Sequence, residues 1–271
     1  AAVLDQIAAD GEAEFYVILT IQADVSGAAA LPTKADKTTY VFNLLRETAR
    51  QTQQPLLDYL QGQGVSYESM YIQNMIRVQA GRTTVEWLAV RSDVARIVSP
   101  PDPRIDLASR SPQTIVAALE EQHLAGIEWN ITRVGAPDVW AMGFHGEGMV
   151  VGDNDTGAEY THPALVNKYR GNLGGGVFNH NYNWWDTYSG SAYPVDTDGH
   201  GTHTMGTMVG DDGGANQIGM APGAQWMACR GMNLECLQFF LAPWDLTGSN
   251  PDPTKAPDAV NNSWYDSSGF D

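Results

Sequence analysis

An aspartate placed where an apolar strand runs into a tight turn is a candidate for acid–base chemistry. Residues 151–165 read VGDNDTGAEYTHPAL, and Asp155 ends the apolar stretch just before Thr156 and Gly157 turn the chain. A carboxylate at such a point is held rigidly and can orient a neighbouring imidazole. The same three residues also form ordinary turns, because Asp, Thr and Gly all favour them. Whether Asp155 has a chemical role therefore depends on a partner elsewhere in the chain.

The candidate partner is a histidine set among small residues. Residues 198–210 read DGHGTHTMGTMVG, which places His200 and His203 at the start of a predicted buried helix. One interpretation makes His200 a general base oriented by Asp155, as two members of a nucleophilic triad. The other is a metal-dependent hydrolase with its metal ion on Asp198, His200 and His203. Helical metal sites more often space two histidines as HxxxH, so the pattern favours the triad and predicts no metal ligands.

These residues must be positioned by strands and helices that alternate in the second half of the chain. From Trp129 onward, short apolar strands are separated by Gly-rich turns and helical patches. This alternation predicts an α/β domain with a parallel sheet, whose sites lie at the carboxyl ends of the strands. The candidate strands are Met149–Gly152, Gln225–Cys229 and Ala259–Asn262. Asp155 lies three residues after the first of them.

The first half of the chain predicts a separate domain. Its order of elements is β-α-β-β-α-β with one helix split, which favours a ferredoxin-like α+β domain over residues 1–98. A Pro-rich stretch begins at Ser99 and predicts an exposed linker over residues 99–128, with a short helix at Gln113–Leu124. The elements predicted in the first domain are a strand at Glu14–Gln22, helices at Thr38–Thr52 and Pro55–Leu60, strands at Val65–Met70 and Tyr71–Val78, a helix at Thr83–Ala89 and a strand at Val94–Val98.

Composition limits the classes of partner. The chain has 271 residues, is 43% hydrophobic and 17% charged, and carries a formal net charge of −17. So acidic a chain repels phosphate backbones and anionic lipid, and neither nucleic acid nor a membrane is an expected partner. No apolar run approaches the roughly 18 residues of a membrane-spanning helix, which indicates a soluble protein. The acidity fits a secreted protein, although simple colloidal solubility explains it equally well.

Two further pairs of residues have alternative interpretations. Cys229 and Cys236 are the only cysteines of the sequence. Because no second cysteine pair exists, a local disulfide is favoured over a metal pair. Trp184 and Trp185 lie in the segment NHNYNWWD and could form an aromatic platform for carbohydrate. Aromatic residues near a cleft are more often packing residues, so no function is assigned to them.

Four motifs in order resemble those of the subtilisin-like serine peptidases, in particular the bacillopeptidase F type. They are the DTG at Asp155 followed by HPAL, the HGTH at His200, the segment IGMAPGA at residues 218–224, and VNNSW at residues 260–264. The resemblance covers nearly all of residues 127–264, and the residues before the linker resemble the family's inhibitory propeptide. It implies a secreted endopeptidase zymogen that hydrolyses protein or peptide substrates through a Ser-His-Asp triad.

The resemblance also implies roles for individual residues. Asp155 corresponds to the triad aspartate, His200 to the general base, and His203 to a structural residue. By the resemblance, Ser263, Trp264 and Tyr265 form one wall of the primary specificity pocket. The alternative interpretation of this segment is an interior strand with no other role.

By the same resemblance the chain divides into three parts. Residues 1–98 are the propeptide, which inhibits the enzyme and assists its folding, and residues 99–128 are a linker that contains the maturation cleavage. Residues 129–271 are the N-terminal, incomplete part of the catalytic domain. The propeptide is thus the expected intramolecular inhibitor, because a tail around Val98–Arg110 would bind the cleft by backbone pairing, as a substrate does.

Three departures from the family pattern limit these expectations. The nucleophile motif GTSMAxP and the oxyanion motif AGN do not occur in this sequence. We therefore expect an inactive fragment of a longer peptidase, with a non-catalytic peptide-binding pseudoprotease as the alternative. Tyr265 replaces the usual Gly beside the substrate backbone. Ala164 stands where the family usually has a calcium-ligating Asp, so no cofactor is expected to be required, and calcium at other sites stays open.

Overall fold

The computed structural model describes residues 2–105, 126–214 and 217–266, and the chain divides into two compact units. The first unit is Ala1–Asp102 with Asp266–Asp271, and the second is Pro103–Tyr265. The division falls inside the predicted linker. The helix predicted at Gln113–Leu124 lies outside the described residues.

The first unit is a four-stranded antiparallel sheet with helices packed on it. Its elements are α1 (Ala2–Asp10), β1 (Ala13–Leu19), a 3-10 turn (Ser26–Ala30), α2 (Lys34–Gly62), β2 (Ser66–Met70), β3 (Met75–Ala80), α3 (Arg82–Ala89) and β4 (Val94–Val98). The spatial order of the strands is β2-β3-β1-β4, and every neighbouring pair is antiparallel. The crossovers through α2 and α3 give the expected ferredoxin-like arrangement. Helix α1 precedes it and was not expected.

The core of this unit lies between the sheet and the helices. Phe15 and Val17 on β1, Leu56 and Leu60 on α2, and Leu88 on α3 are completely buried. Full burial of one such side chain stabilises the folded state by roughly 1.5–3 kcal/mol. The packing of these faces therefore holds the unit together.

The predicted break between two helices at Pro55 is wrong, because α2 continues through it. Proline inside a helix removes a backbone hydrogen bond and costs about 3 kcal/mol. That cost is offset by burial on both sides of it. Leu56 and Leu60 are completely buried, and the buried Gln53 side chain donates a hydrogen bond to the Met70 carbonyl. A break at this point would remove these contacts.

Two strand boundaries also differ from the prediction. Tyr71 to Asn74 form the turn between β2 and β3, so β3 begins at Met75. Strand β1 ends at Leu19, and beyond it the carbonyl of Ile21 accepts a hydrogen bond from the Asn74 side chain. A side-chain bond of this kind ends a strand without any change in hydrophobic periodicity.

The second unit is built on a four-stranded parallel sheet. The remaining strands are β5 (Pro103–Arg104), β6 (Val150–Asp155), β7 (Asn172–Gly174), β8 (Val177–Phe178), β9 (Trp184–Asp186), β10 (Gln225–Arg230), β11 (Ala259–Asn261) and β12 (Tyr265–Asp266). The main sheet has the order β11-β6-β10-β9, and all its pairs are parallel. This confirms the predicted α/β fold class. Strands β7 and β8 form a small antiparallel pair, and β5 pairs with β12.

The second unit also contains helices, some of which pack on this sheet. They are α4 (Trp129–Arg133), α5 (Ala136–Ala141), α6 (His200–Val209) and α7 (Leu234–Leu241), with a 3-10 turn at Pro253–Lys255. Buried Met205 and Val209 of α6 pack with Trp184 and Trp226 of the sheet. Trp185 packs edge-on against Trp244. Trp184 and Trp185 thus both pack within the second unit. No helix in the described part of the chain is both long and apolar enough to cross a bilayer.

Candidate active site

Asp155 is the last residue of β6 and is completely buried. Its Oδ1 accepts a hydrogen bond from the backbone N–H of Thr156 at 2.7 Å. The chain turns at Gly157, where φ is 120° and a Cβ would overlap the carbonyl oxygen of Val195. Only glycine fits this position. The Asp-Thr-Gly turn therefore serves here to fix a buried carboxylate at the end of a central strand.

His200 begins α6 and faces Asp155. Its Nδ1 lies 2.7 Å from Asp155 Oδ1, and 14% of its side chain is exposed. A carboxylate oxygen only accepts hydrogen bonds, so we assign the proton to Nδ1 and the free lone pair to Nε2. Within the described ranges Nε2 makes no hydrogen bond. The imidazole is thus oriented as a base that takes a proton at Nε2.

Asp196 organises the turn that precedes α6. Its Oδ1 accepts the backbone N–H groups of Asp198 and Gly199, and its Oδ2 accepts the N–H and hydroxyl of Thr202. Burial raises the pKa of Asp196, but these hydrogen bonds outweigh it and leave the pKa below its usual value. The carboxylate therefore accepts N–H groups at the start of the helix and offsets the positive partial charge there. Sequence reasoning missed this residue, for which the available signal was an Asp four residues before His200.

Arg230, the last residue of β10, joins the loops around the site. Its Nε donates to the Thr156 carbonyl at 3.0 Å, and its Nη2 donates to Thr197 Oγ1 at 2.8 Å. Its Nη1 lies 3.5 Å from the buried carboxylate of Asp186. Arg230 is paired with Asp155 across the sheet, so a fixed cation stands beside the end of β6. It too was missed, and the signal was a charge that ends an otherwise buried strand.

The predicted specificity wall follows β11 and leaves the sheet. Ser263 Oγ lies 3.1 Å from Asn261 Oδ1, and Trp264 Nε1 donates to the carbonyl of Asn154 at 2.8 Å. Tyr265 is 52% exposed and begins β12. The segment is thus anchored beside β6 at one end and open at the other. It does not form an interior strand.

Cys229 on β10 and Cys236 on α7 are joined by a disulfide, with their Cα atoms 5.5 Å apart. Both residues are completely buried and pack with Phe239 and Trp244. The bridge fastens α7 to the strand that ends in Arg230. It therefore supports the sheet behind the site.

The described residues do not assemble the alternative metal site. The Asp198 carboxylate accepts the backbone N–H of His200 at 3.3 Å. His203 is exposed and lines a separate cleft of about 720 Å³ together with Glu128 and His162, whereas His200 does not line it. No group of three or more His, Cys, Asp or Glu side chains in the described ranges is arranged to hold a metal ion. The side chain of His200 is directed to Asp155 instead.

Ala164 does not fit the role of a calcium ligand. Its side chain has no oxygen and is buried. Its backbone N–H donates to His162 Nδ1 at 3.2 Å, and its carbonyl accepts the N–H of Asp211 at 2.9 Å. Both backbone groups are thus engaged within the protein.

Comparisons with known proteins match part of this chain to a family. Residues 146–266 match the Subtilase family. Bacillopeptidase F of Bacillus subtilis (strain 168) is 38% identical over 267 residues, covering 90% of this chain and 18% of that protein. Minor extracellular protease Vpr of the same organism is 35% identical over 97 residues, covering 36% of this chain and 12% of that protein. The chain thus spans less than a fifth of the length of either relative.

A solved structure is also similar. Fervidolysin from Fervidobacterium pennivorans, a keratinolytic enzyme related to subtilisin, is 14% identical with a TM-score of 0.45 and covers 93% of this chain and 36% of that one. The family match contains Asp155 and His200 as well as the segment that follows β11. The identity with Bacillopeptidase F extends well beyond that match into the first unit. Residues 146–266 of this chain therefore form part of a domain of the subtilase family.

Proposed function

We propose that this chain carries the aspartate and histidine of the Ser-His-Asp triad of a secreted serine endopeptidase that is made as a zymogen. The observation that carries the proposal is the 2.7 Å hydrogen bond between His200 Nδ1 and the buried Asp155 Oδ1. It lies inside the segment that matches the subtilase family. Orientation of the imidazole by a buried carboxylate is what the histidine of such a triad requires.

In peptide hydrolysis at this site, His200 carries out all the proton transfers. A serine hydroxyl attacks the scissile carbonyl carbon while His200 Nε2 takes its proton, and the Asp155 carboxylate stabilises the imidazolium. Nε2 then gives the proton to the leaving amine, and an acyl-enzyme remains. Water attacks the ester as Nε2 takes its proton, which then returns to the serine oxygen. We propose that no cofactor takes part in these steps.

The nucleophile is not recognisable in the present sequence. Neither the GTSMAxP motif nor the AGN motif occurs in it, and it covers 18% of Bacillopeptidase F. We therefore assign the serine and the oxyanion donor to parts of the protein outside these 271 residues. Peptide hydrolysis by the present residues alone is not expected.

Residues 1–98 fit the role of an inhibitory propeptide. They form a sheet with the ferredoxin-like order, and the identity with Bacillopeptidase F extends into them. Strand β5 at Pro103–Arg104 pairs with β12, which begins at Tyr265. This pairing supports a tail that binds beside the specificity wall in an extended form, as a substrate would. The maturation cleavage is then expected within residues 99–128.

Secretion is supported by two observations. One similar protein is an extracellular protease by name, Minor extracellular protease Vpr. The disulfide between Cys229 and Cys236 is of a kind that persists in oxidising compartments. The expected substrates are proteins or peptides.

The test uses the full-length gene product and a matched pair of histidine variants. His200→Ala removes the proposed base, whereas His203→Ala removes an exposed histidine three residues away on the same helix. We expect the first to lower peptide hydrolysis by about 10⁶-fold, as known for subtilisin, and the second to leave it nearly unchanged. A serine-directed phosphonyl fluoride should inactivate the wild type.

Other results would overturn the proposal. Equal losses in both variants, together with inhibition by a chelator, would identify a metal-dependent hydrolase. A full-length product that binds peptides without cleaving them would identify a pseudoprotease.

A further inference from the structure

Asp153 is a buried carboxyl group that the triad chemistry does not use. It lies in the middle of β6, two residues before Asp155, and is 1% exposed. Because side chains alternate along a strand, Asp153 and Asp155 project from the same face of the sheet. A carboxyl in such a place is costly to bury unless its oxygens are satisfied. Its partners therefore indicate what it does.

Asp153 contacts the two elements that flank the site. Its Oδ2 lies 2.8 Å from Thr204 Oγ1, on α6 one turn after His200. Its Oδ1 accepts a hydrogen bond from Asn261 Nδ2 of β11 at 2.9 Å, and the same amide lies 2.8 Å from Ser263 Oγ. One carboxyl thus links the histidine helix to the strand that leads into the specificity wall.

The hydrogens available at Thr204 indicate the form of the acid. Thr204 Oγ1 lies near two oxygens, Asp153 Oδ2 and the carbonyl of Gly201 at 3.0 Å. A hydroxyl has one hydrogen and can donate it once. If Asp153 is protonated, its O–H donates to Thr204, and the Thr204 hydrogen is free for Gly201. Both contacts are then hydrogen bonds, which an ionised Asp153 does not allow.

The surroundings of Asp153 also disfavour its ionised form. The strands on either side place Ala228 and Asn261 next to it, and α6 presents Thr204, so none of these neighbours is a cation. The charged groups that act on it are Asp155 on its own strand and Asp196 before α6. Burial, and then the charge of Asp155, raise the pKa of Asp153 to about 8.

We infer that Asp153 is a positioning residue which, as a neutral carboxylic acid, holds the helix of His200 against the strand that leads to Ser263. The inference rests on the proposed function, because it concerns the geometry of the same site. Above the pH at which Asp153 ionises, its donation to Thr204 is lost and a second negative charge stands beside Asp155. The histidine should then lose its fixed position.

The test compares isosteric and disruptive variants in the full-length gene product. Asp153→Asn keeps one donor for Thr204 and one acceptor for Asn261, whereas Asp153→Leu removes both. Thr204→Ser keeps the hydroxyl, and Thr204→Val removes it. If Asp153→Leu fails to fold, the comparison rests on Thr204→Ser and Thr204→Val, which are smaller changes.

The first readout is the low-field proton resonance of His200 Nδ1, which needs no substrate. We expect Asp153→Asn and Thr204→Ser to keep the resonance of the wild type, and Asp153→Leu and Thr204→Val to shift or lose it. In the wild type the resonance should change as the pH rises through about 8, the value to which burial raises the pKa of Asp153. In Asp153→Asn it should not change there.

The second readout is peptide hydrolysis. Loss of positioning should lower kcat of the disruptive variants by about tenfold to a hundredfold, with the isosteric variants close to the wild type. An unchanged resonance in the disruptive variants, or an Asp153→Asn variant that behaves like Asp153→Leu, would overturn the inference. A wild type with no hydrolysis would overturn the proposed function instead, while the resonance would still decide the role of Asp153.

Discussion

The stability of the second unit should fall as the pH rises from about 4 to about 8 because of Asp153. Burial and the charge of Asp155 raise the pKa of this carboxyl to about 8, against about 3.9 in an unfolded chain. In that window the unfolded state has released the proton and the folded state still binds it. Each pH unit then lowers the free energy of unfolding by about 1.4 kcal/mol, on the order of 5 kcal/mol over the whole window. Below the window this contribution is fully present.

Asp153→Asn should abolish that slope, because an amide keeps its hydrogens at every pH in the window. The measurement is urea unfolding of the wild type and the variant at pH 4.5 to 8.5, followed by near-UV circular dichroism. The variant should gain on the wild type with each step, and Asp212→Asn, at an exposed position, should not. Parallel curves for the wild type and Asp153→Asn would show that the folded and unfolded states bind this proton alike, and would refute the reasoning.

Three further predictions concern the framework of the site. Gly157→Ala would place a methyl group against the Val195 carbonyl at a φ of 120°, and should lower the free energy of unfolding by about 3 kcal/mol or more in urea titrations. Reduction of the disulfide between Cys229 and Cys236, seven residues apart, should cost about 2 to 3 kcal/mol, measured with and without a phosphine reductant. Asp196→Ala leaves backbone N–H groups at the start of α6 without their acceptor, and should cost about 1 to 3 kcal/mol and speed amide hydrogen exchange there.

The contact between Asp155 and His200 could be predicted from the sequence because each residue lies in a local pattern. An apolar run that ends at an Asp-Thr-Gly turn marks the end of a strand, and a row of small residues marks the start of a packed helix. These residues are 45 positions apart in the sequence, and they meet because α6 packs against β6. Hydrophobic periodicity is also a local pattern, and it was enough to predict the sheet of the first unit.

Asp196, Arg230 and Pro55 could not be interpreted in this way. Asp196 acts on backbone N–H groups of a loop, and Arg230 acts on a backbone carbonyl of another strand's turn. Neither geometry follows from periodicity, because it depends on where two loops meet. At Pro55 the local preference favours a break in the helix, but the tertiary burial of Leu56 and Leu60 outweighs it. Long-range contacts decide such positions.

The distance between Asp155 and His200 is set by contact between backbones. Gly201, the second residue of α6, lies so close to Gly157 that a Cβ on it would overlap the Gly157 carbonyl, and its N–H donates to Thr156 Oγ1 at 2.9 Å. Glycine in a helix costs about 1 kcal/mol relative to alanine, so helix propensity is lower at this point. In return, the first turn of α6 rests directly on the turn that follows β6. The small residues around His200 are therefore part of the site, because they allow the imidazole to reach the buried carboxylate.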